Sequence, residues 1–387
     1  MMLDNIGIIG VGGGGSNSVI DLYDEMNAIG RGLNLDFAVV NTDMQAFALV
    51  KNRKIRKLAI GTQLTSGGGA GADPVVGYLA AEESSREIAD WLRGKSMVFV
   101  SLGLGGGTGS GASPKILEIA KQLNILTIVF ATYPWDFEGK RRQNNSRLSL
   151  NSLYEYADSI VIINNDDLSL GDLRGKADAK VLIQELFKQV NKYLKYCVLA
   201  IASMVLEKSF INIDFNDIKR VLTNSHLGFF FLSESRVNSR MTEDEMASIF
   251  VNDIIAKLPD SLALESSKNL VVNVAGNSNT LSVTSVTKSL KRVSQLSSEL
   301  DIIFGLSFND FIQPGIVQFT GLFTEVGYEQ NDISESIDIE DTLGKMLEER
   351  KKEMQFQMDE QRLQTDGGFA SAPPAPQGGR KGRRGRK

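Results

Sequence analysis

The chain holds one cysteine and one histidine among its 387 residues. A lone cysteine forms no internal disulfide, and Cys197 sits in the apolar run Tyr196-Cys197-Val198-Leu199-Ala200-Ile201, so it is expected to be buried filler rather than a reactive thiol. His226 has no second histidine and no nearby cysteine, which argues against zinc chemistry and against a Ser-His-Asp triad. No apolar run approaches the roughly 18 residues of a membrane helix, and no basic-then-apolar leader precedes the first strand. A protein of a reducing cytoplasm, neither secreted nor membrane-spanning, is expected. Neither of the two glycine-rich stretches, at 10–17 and 105–111, contains the G-K-[ST] triplet of a P-loop, so a P-loop lysine and its associated Mg²⁺ hydroxyl are absent from them.

What is present is the composition of a globular protein, 42% hydrophobic and 23% charged, long enough for two or three domains and a core that needs no staples. The net charge is −5, yet the last eight residues hold six basic groups, which leaves −11 on residues 1–379. An acidic body therefore bears a basic tip.

Short apolar runs at 6–11, 35–40, 97–102, 125–131 and 159–163 alternate with helical patterns. That alternation predicts a parallel sheet covered on both faces, with ligands bound at the strand carboxyl ends. From 177 to 206, Leu182, Leu186, Val190, Leu194 and Val198 recur every four residues without Gly or Pro, which predicts one long buried helix. Strand candidates at 269–274, 301–307 and 316–323 suggest a second α/β domain. Residues 335–364 are charge-dominated and read as a solvated or partner-seeking helix, and 367–379 as a disordered linker.

Two glycine loops stand out. Gly10-Val11-Gly12-Gly13-Gly14-Gly15-Ser16-Asn17 follows a strand, and also satisfies G-x-G-x-x-G, so alone it fits a dinucleotide-binding turn. Gly105-Gly106-Gly107-Thr108-Gly109-Ser110-Gly111 follows the strand expected at 97–102 and leads to a helix expected at 114–123. Glycines let a backbone approach a ligand and aim N–H groups at it, and a helix start adds partial positive charge. Two phosphate cradles follow. A nicotinamide-dependent oxidoreductase would use the first loop, but its ribose-binding acid should end the second strand, whereas Asn41-Thr42-Asp43 lies beyond that position, and the second loop is left unexplained.

The second loop resembles the tubulin signature, and its surroundings resemble the FtsZ branch of the tubulin/FtsZ superfamily. Asn41-Thr42-Asp43-Met44-Gln45-Ala46, Leu64 to Pro74, Phe137-Glu138-Gly139-Lys140-Arg141-Arg142 and Asn164-Asn165-Asp166 match in order and spacing, over about residues 6–327. The resemblance implies GTP and GDP as ligands, with Mg²⁺. It implies nucleotide contacts from Gly12, Gly13, Gly14, Gly15, Ser16 and Asn17, from Asn41 and Asp43, and from Gly103, Gly105, Gly106, Gly107, Thr108, Gly109 and Ser110. Gly69, Ala70 and Gly71 belong to a loop near the γ-phosphate. Glu138 and Arg142 would reach ribose and phosphates, Asn165 and Asp166 ribose and base, and Phe187 and Asn191 would stack on and bond guanine. Without the ordered matches, Phe187 reads as core and Glu138 with Arg142 as a surface ion pair.

Asn212-Ile213-Asp214-Phe215-Asn216-Asp217 resembles the family's catalytic loop. The resemblance implies that Asp214 and Asp217, assisted by Asn212, act on the nucleotide of the next subunit, so that GTP is hydrolysed at the contact of a head-to-tail filament. The rival reading of Asp214 is a helix cap. The implied fold is a Rossmann-like parallel-sheet GTPase domain joined by a long central helix to a second, smaller α/β domain. The expected divisions are a GTP-binding domain at 1–176, the central helix at 177–206, and the catalytic loop with its following helix at 207–222. A C-terminal α/β domain at 223–330, a charged helical segment at 331–366 and a disordered linker with basic tail at 367–387 complete them.

Ser16 stands where the family usually has glycine, the text after Arg142 diverges, and no D-I-P-x-F-L-like peptide lies near the C-terminus. The tail's partner is therefore open: a membrane-tethering or DNA-bound adaptor, anionic lipid, or DNA. The implied role is the bacterial division ring, at midcell, with a plasmid or phage tubulin-like filament for DNA segregation as the alternative.

Overall fold

The computed structural model describes residues 5–29, 35–51, 53–167, 179–206, 211, 213–259, 262–309 and 312–328, with Leu347, Glu348 and Lys352. The chain divides into units 1–343 and 344–387, and only those last three residues are described in the second. Asn212, the charged segment beyond 328 apart from those three residues, and the basic tail lie outside the described residues.

Strands β1 (Ile6–Val11), β2 (Leu35–Asn41), β3 (Ile55–Ala59), β4 (Met97–Gly103), β5 (Leu126–Tyr133) and β6 (Ser159–Asn164) are parallel, in the spatial order β6-β5-β4-β1-β2-β3. Their apolar runs are near-continuous because both faces are covered. Ile6, Ile8 and Phe99 pack toward α1 (Gly12–Ile29), α7 (Ala179–Leu206) and α8 (Phe215–Leu222). Ile9, Val11, Val98 and Val100 pack toward α3 (Pro74–Glu83), α4 (Ser85–Leu92), α5 (Gly107–Gln122) and α6 (Lys140–Tyr156). The chain runs from β1 outward to β3, then returns to β4 beside β1 and runs the other way. Such a switch point opens a crevice between two neighbouring strand ends, here those of β1 and β4.

Three residue pairs, Ser159 with His226, Ile160 with Leu227 and Val161 with Gly228, join β6 to β7 (His226–Arg236). Beyond β7 lie β11 (Ile316–Thr324), β9 (Asn269–Gly276) and β10 (Asp301–Phe308), making one ten-stranded sheet. A third core forms there under α9 (Glu243–Ile255) and α10 (Val283–Val293). The expected long helix is α7, about 42 Å long at 1.5 Å per residue. It packs on α1 and on β7, β9 and β11, and buries Val190, Leu194, Val198 and the fully buried thiol of Cys197. No helix among the described residues is long and apolar enough to cross a membrane.

Two local expectations are corrected. The first glycine stretch is not a separate loop, because α1 starts at Gly12 and the glycines form its first turn. The second helix starts at Gly107, not Pro114, and keeps Pro114 inside it. Proline cannot donate to the carbonyl four residues back, that of Ser110. Ser149 on α6 fills the gap, its hydroxyl donating to the Ser110 carbonyl at 2.8 Å in a buried position. Ser149→Ala is expected to cost about 1–3 kcal/mol, the desolvation of a buried carbonyl left unpaired, measurable by denaturant unfolding.

Candidate functional site

A cleft of about 880 Å³ opens at the carboxyl ends of the central parallel strands. Its floor is the first turns of α1 and α5, whose leading N–H groups have no acceptor within their own helices and whose dipoles add partial positive charge. The two helix starts abut. A Cβ on Gly12, where φ is +70°, would lie 2.8 Å from the Gly109 nitrogen, and one on Gly109 2.5 Å from the Gly103 carbonyl.

Gly13 and Gly106 are different. Neither has a left-handed φ, and among the described residues a Cβ on either would meet no atom within 4 Å beyond its chain neighbours and its own helix backbone. Packing and backbone strain do not require glycine there, and both residues line the cleft. A bare backbone at those points leaves room for a ligand that reads N–H groups, which suits phosphate oxygens.

The remaining residues of the glycine motifs build the cradle from behind. Gly15 is packed on the Ser101 carbonyl, and Ser16 is buried with a hydroxyl that has no partner among the described residues. The Ser110 hydroxyl accepts the Gly105 N–H at 2.8 Å, and Ser110 is fully buried. Gly107 abuts Asp73 and Ala70, which brings the loop at 66–73 against the second glycine stretch. That loop carries Gly69 and Gly71 in left-handed geometry and pairs Gly68 with Asp43. Asn41 accepts the Asp43 N–H, and Asp43 in turn accepts that of Gln45. Arg141 and Asn145 of α6 pin the loop through the carbonyls of Gly71 and Ala72. Across the seam the Thr42 and Thr108 hydroxyls share a buried 2.7 Å hydrogen bond. Of these, Thr108 lines the cleft, while Gly15, Ser16, Asn41, Asp43, Gly69, Ala70, Gly71, Gly105, Gly107 and Ser110 do not.

The wall facing the glycine turns carries Glu138, Arg142, Asn165 and Phe187. Glu138 bonds Arg142 at 2.5 Å and accepts the Trp135 N–H at 3.1 Å, so it is indeed an ion pair, placed at the cleft rim. Asn165 lines the cleft and is buried with Oδ1 unpartnered among the described residues, whereas Asp166 turns away to accept the Asp136 N–H. Phe187 is not core. It is half-exposed and meets Trp135 edge to face at 5.4 Å, and Trp135 is itself stacked on Phe137. Trp135, Arg53, Lys188, Asp21 and Asp24 also line the cleft and were not among the sequence candidates. The signal for Asp21 was available, since Gly13, Asn17 and Asp21 are four apart and share one face of α1.

Asp214 and Asp217 do not line the cleft, and both are exposed. Asp214 caps α8, accepting the Asn216 N–H at 2.8 Å with one oxygen, so the capping role is present. From Asn191 at the cleft to Leu206, α7 carries the chain about 22 Å away. Beyond it, α8 lies at the other end of the strands: Lys219 donates to the carbonyl of Asn124, just before β5, and Arg220 pairs with Asp301 at the start of β10. Among the described residues no group of three His, Cys, Asp or Glu side chains could hold a metal ion.

Residues 5–170 match the Tubulin/FtsZ family, GTPase domain. The chain is 35% identical over 319 residues to a cell division protein FtsZ of Aquifex aeolicus (strain VF5), a match spanning 81% of this chain and 82% of that protein. Its structure is similar to an empty FtsZ dimer of M. jannaschii, with a TM-score of 0.69, 26% identity, and coverage of 85% of this chain and 94% of that one. A CetZ2 protofilament of Haloferax volcanii with GTPgS bound shares the fold alone, with a TM-score of 0.66, 19% identity, and coverage of 90% and 99%.

Proposed function

This chain belongs to the tubulin/FtsZ family, and on that premise we propose that it is a GTP-dependent filament protein whose hydrolytic site forms only between two subunits. One observation carries the proposal. The cleft and the exposed pair Asp214 and Asp217 lie at opposite ends of the molecule, so one chain holds two half-sites that cannot meet within it. A contact joining different ends of identical chains is heterologous and continues into an open filament.

Within that contact, the glycine turns of one subunit bind the triphosphate through backbone N–H groups. The carboxylates of the next, assisted by Asn212, orient the attacking water. Phosphoryl transfer to water needs positioning and charge stabilisation more than covalent help, which carboxylates and amides supply. Mg²⁺ bound with the nucleotide would neutralise charge on the phosphate oxygens.

The similarity to a cell division protein supports a cytoplasmic filament at the division site, with the basic tail engaging a membrane-tethering adaptor or an anionic surface. A DNA-segregating filament would share the assembly and differ in what the tail engages.

The test is GTP hydrolysis against protein concentration with Mg²⁺, alongside sedimentation. Specific activity is expected to be near zero below a threshold concentration and to rise with the pelleted fraction above it. Activity proportional to concentration throughout, with no pellet, would remove the shared site.

A further inference from the structure

The end of the cleft away from the glycine turns has the opposite chemistry. Asp21 and Asp24 of α1, Arg53, and Lys188 and Asn191 of α7 line it beside Phe187. Most of these charges are already matched. Asp24 takes both Nε and Nη2 of Arg53, at 2.7 and 2.6 Å, and Lys188 pairs with Glu185 at 3.3 Å.

Asp21 is not matched. Its Oδ2 accepts the Asn191 side-chain N–H, and among the described residues Oδ1 has no hydrogen-bond partner. Burial pushes this carboxyl above its ordinary range; the Asn191 bond pulls the other way, and Asp24 and Glu25 add to the rise. An unpaired carboxylate here disfavours phosphate while the glycine turns attract it, which favours a nucleotide with its phosphates on the glycine turns and its base at Asp21.

Resting on the assignment of the cleft to a guanosine nucleotide, we infer that Asp21 is the residue that reads the base, held in position by Asn191. A carboxylate accepts two adjacent donors, and guanine presents such a pair on one edge, the N1–H and the 2-amino group. Adenine presents a lone pair at N1, which faces the carboxylate with repulsion and leaves it unpaired. A site built to accept hydrogen bonds rejects the analogue that cannot donate them far more strongly than an apolar pocket rejects a misfit. On this assignment Asn191 spends its amide donor on Asp21 rather than on the base.

The experiment compares Kd values of GTP, ITP, XTP and ATP on the full-length native chain, Asp21→Asn and Asp21→Ala, with thermal melts to show that each variant is folded. The native chain is expected to prefer GTP over ITP, which lacks the 2-amino donor, and over ATP. Asp21→Asn should weaken GTP about ten- to a hundredfold. It should also shift preference toward XTP, whose carbonyl at C2 accepts the new amide N–H, while Asp21→Ala loses GTP affinity without gaining XTP. Two results overturn the role of Asp21 alone: folded variants that keep the native GTP to XTP ratio, or a native chain that binds ATP as tightly as GTP. A native chain that binds none of the four would instead overturn the nucleotide reading of the cleft.

Discussion

Gly13→Asp is expected to leave the protein at least as stable as the native chain and to weaken GTP binding roughly a thousandfold. Gly13 is the second residue of α1, its φ is not left-handed, and among the described residues no atom beyond its chain neighbours and its own helix backbone lies within 4 Å of a Cβ built there. Glycine costs a helix about 1 kcal/mol relative to alanine, and an acid in the first turn gains about 0.3–1 kcal/mol from the dipole. The folded state therefore has nothing to lose. The ligand does. A carboxylate among the N–H groups that receive phosphate places like charges about 4 Å apart, which costs about 4 kcal/mol at an effective dielectric constant near 20, or roughly a thousandfold in affinity. Gly13→Ala, which fills the space without the charge, should fall about tenfold or somewhat more. Melting temperature and nucleotide titration read the two effects separately. A Gly13→Asp chain that binds GTP as the native does would place the phosphates elsewhere.

The parallel core was legible because its strands carry the signal of burial on both faces. Ile6–Val11 stands where the apolar run put it, and the strands at 35, 97 and 159 differ from expectation only by an added residue at the carboxyl end. The four-residue spacing along α7 was equally direct, since one stripe of that helix meets both the first part of the sheet and β7, β9 and β11. Edges were harder. β3 reads Ile-Arg-Lys-Leu-Ala, and its exposed Arg56 and Lys57 are what an edge strand uses to avoid pairing with another chain, which erases the apolar run. The helix expected from Pro114 starts seven residues earlier, at Gly107, and only the three-dimensional position of Ser149 shows what satisfies the carbonyl that Pro114 leaves free.

The motif spelling of the site does not separate glycines needed by a ligand from glycines needed by packing. Gly13 and Gly15 are two residues apart; one faces empty space and the other touches the Ser101 carbonyl. Ser110 likewise looks like a phosphate donor in the text, but it is fully buried, accepts the Gly105 N–H and does not line the cleft. The converse error is omission. Asp21, Arg53 and Trp135 belong to no motif, and they gather at the cleft only because α1, the segment before β3 and the loop after β5 converge there.

A 1:1 mixture of Gly13→Asp and Asp214→Ala chains is expected to hydrolyse GTP when neither does so alone. Asp214→Ala keeps every residue that lines the cleft and should bind GTP normally, but presents no complete acid pair to a neighbour. Its own turnover should fall by a factor of about 100 or more, the range seen when a positioned acid–base group is removed. Some helix stability will also go, about 1 kcal/mol for loss of the α8 cap, so Asp214→Asn, which can still cap, serves as the folding control. Gly13→Asp is defective in the opposite half, with an impaired cleft and an intact Asp214 and Asp217. In random mixing about a quarter of head-to-tail contacts join the sound cleft of one variant to the sound acid end of the other, so roughly a quarter of native activity should return. A site confined to one chain cannot be restored this way, because no subunit in the mixture has both halves. Mixed activity no greater than the sum of the separate activities, with each variant folded and Asp214→Ala still binding GTP, would mean that the carboxylates at the far end take no part in hydrolysis.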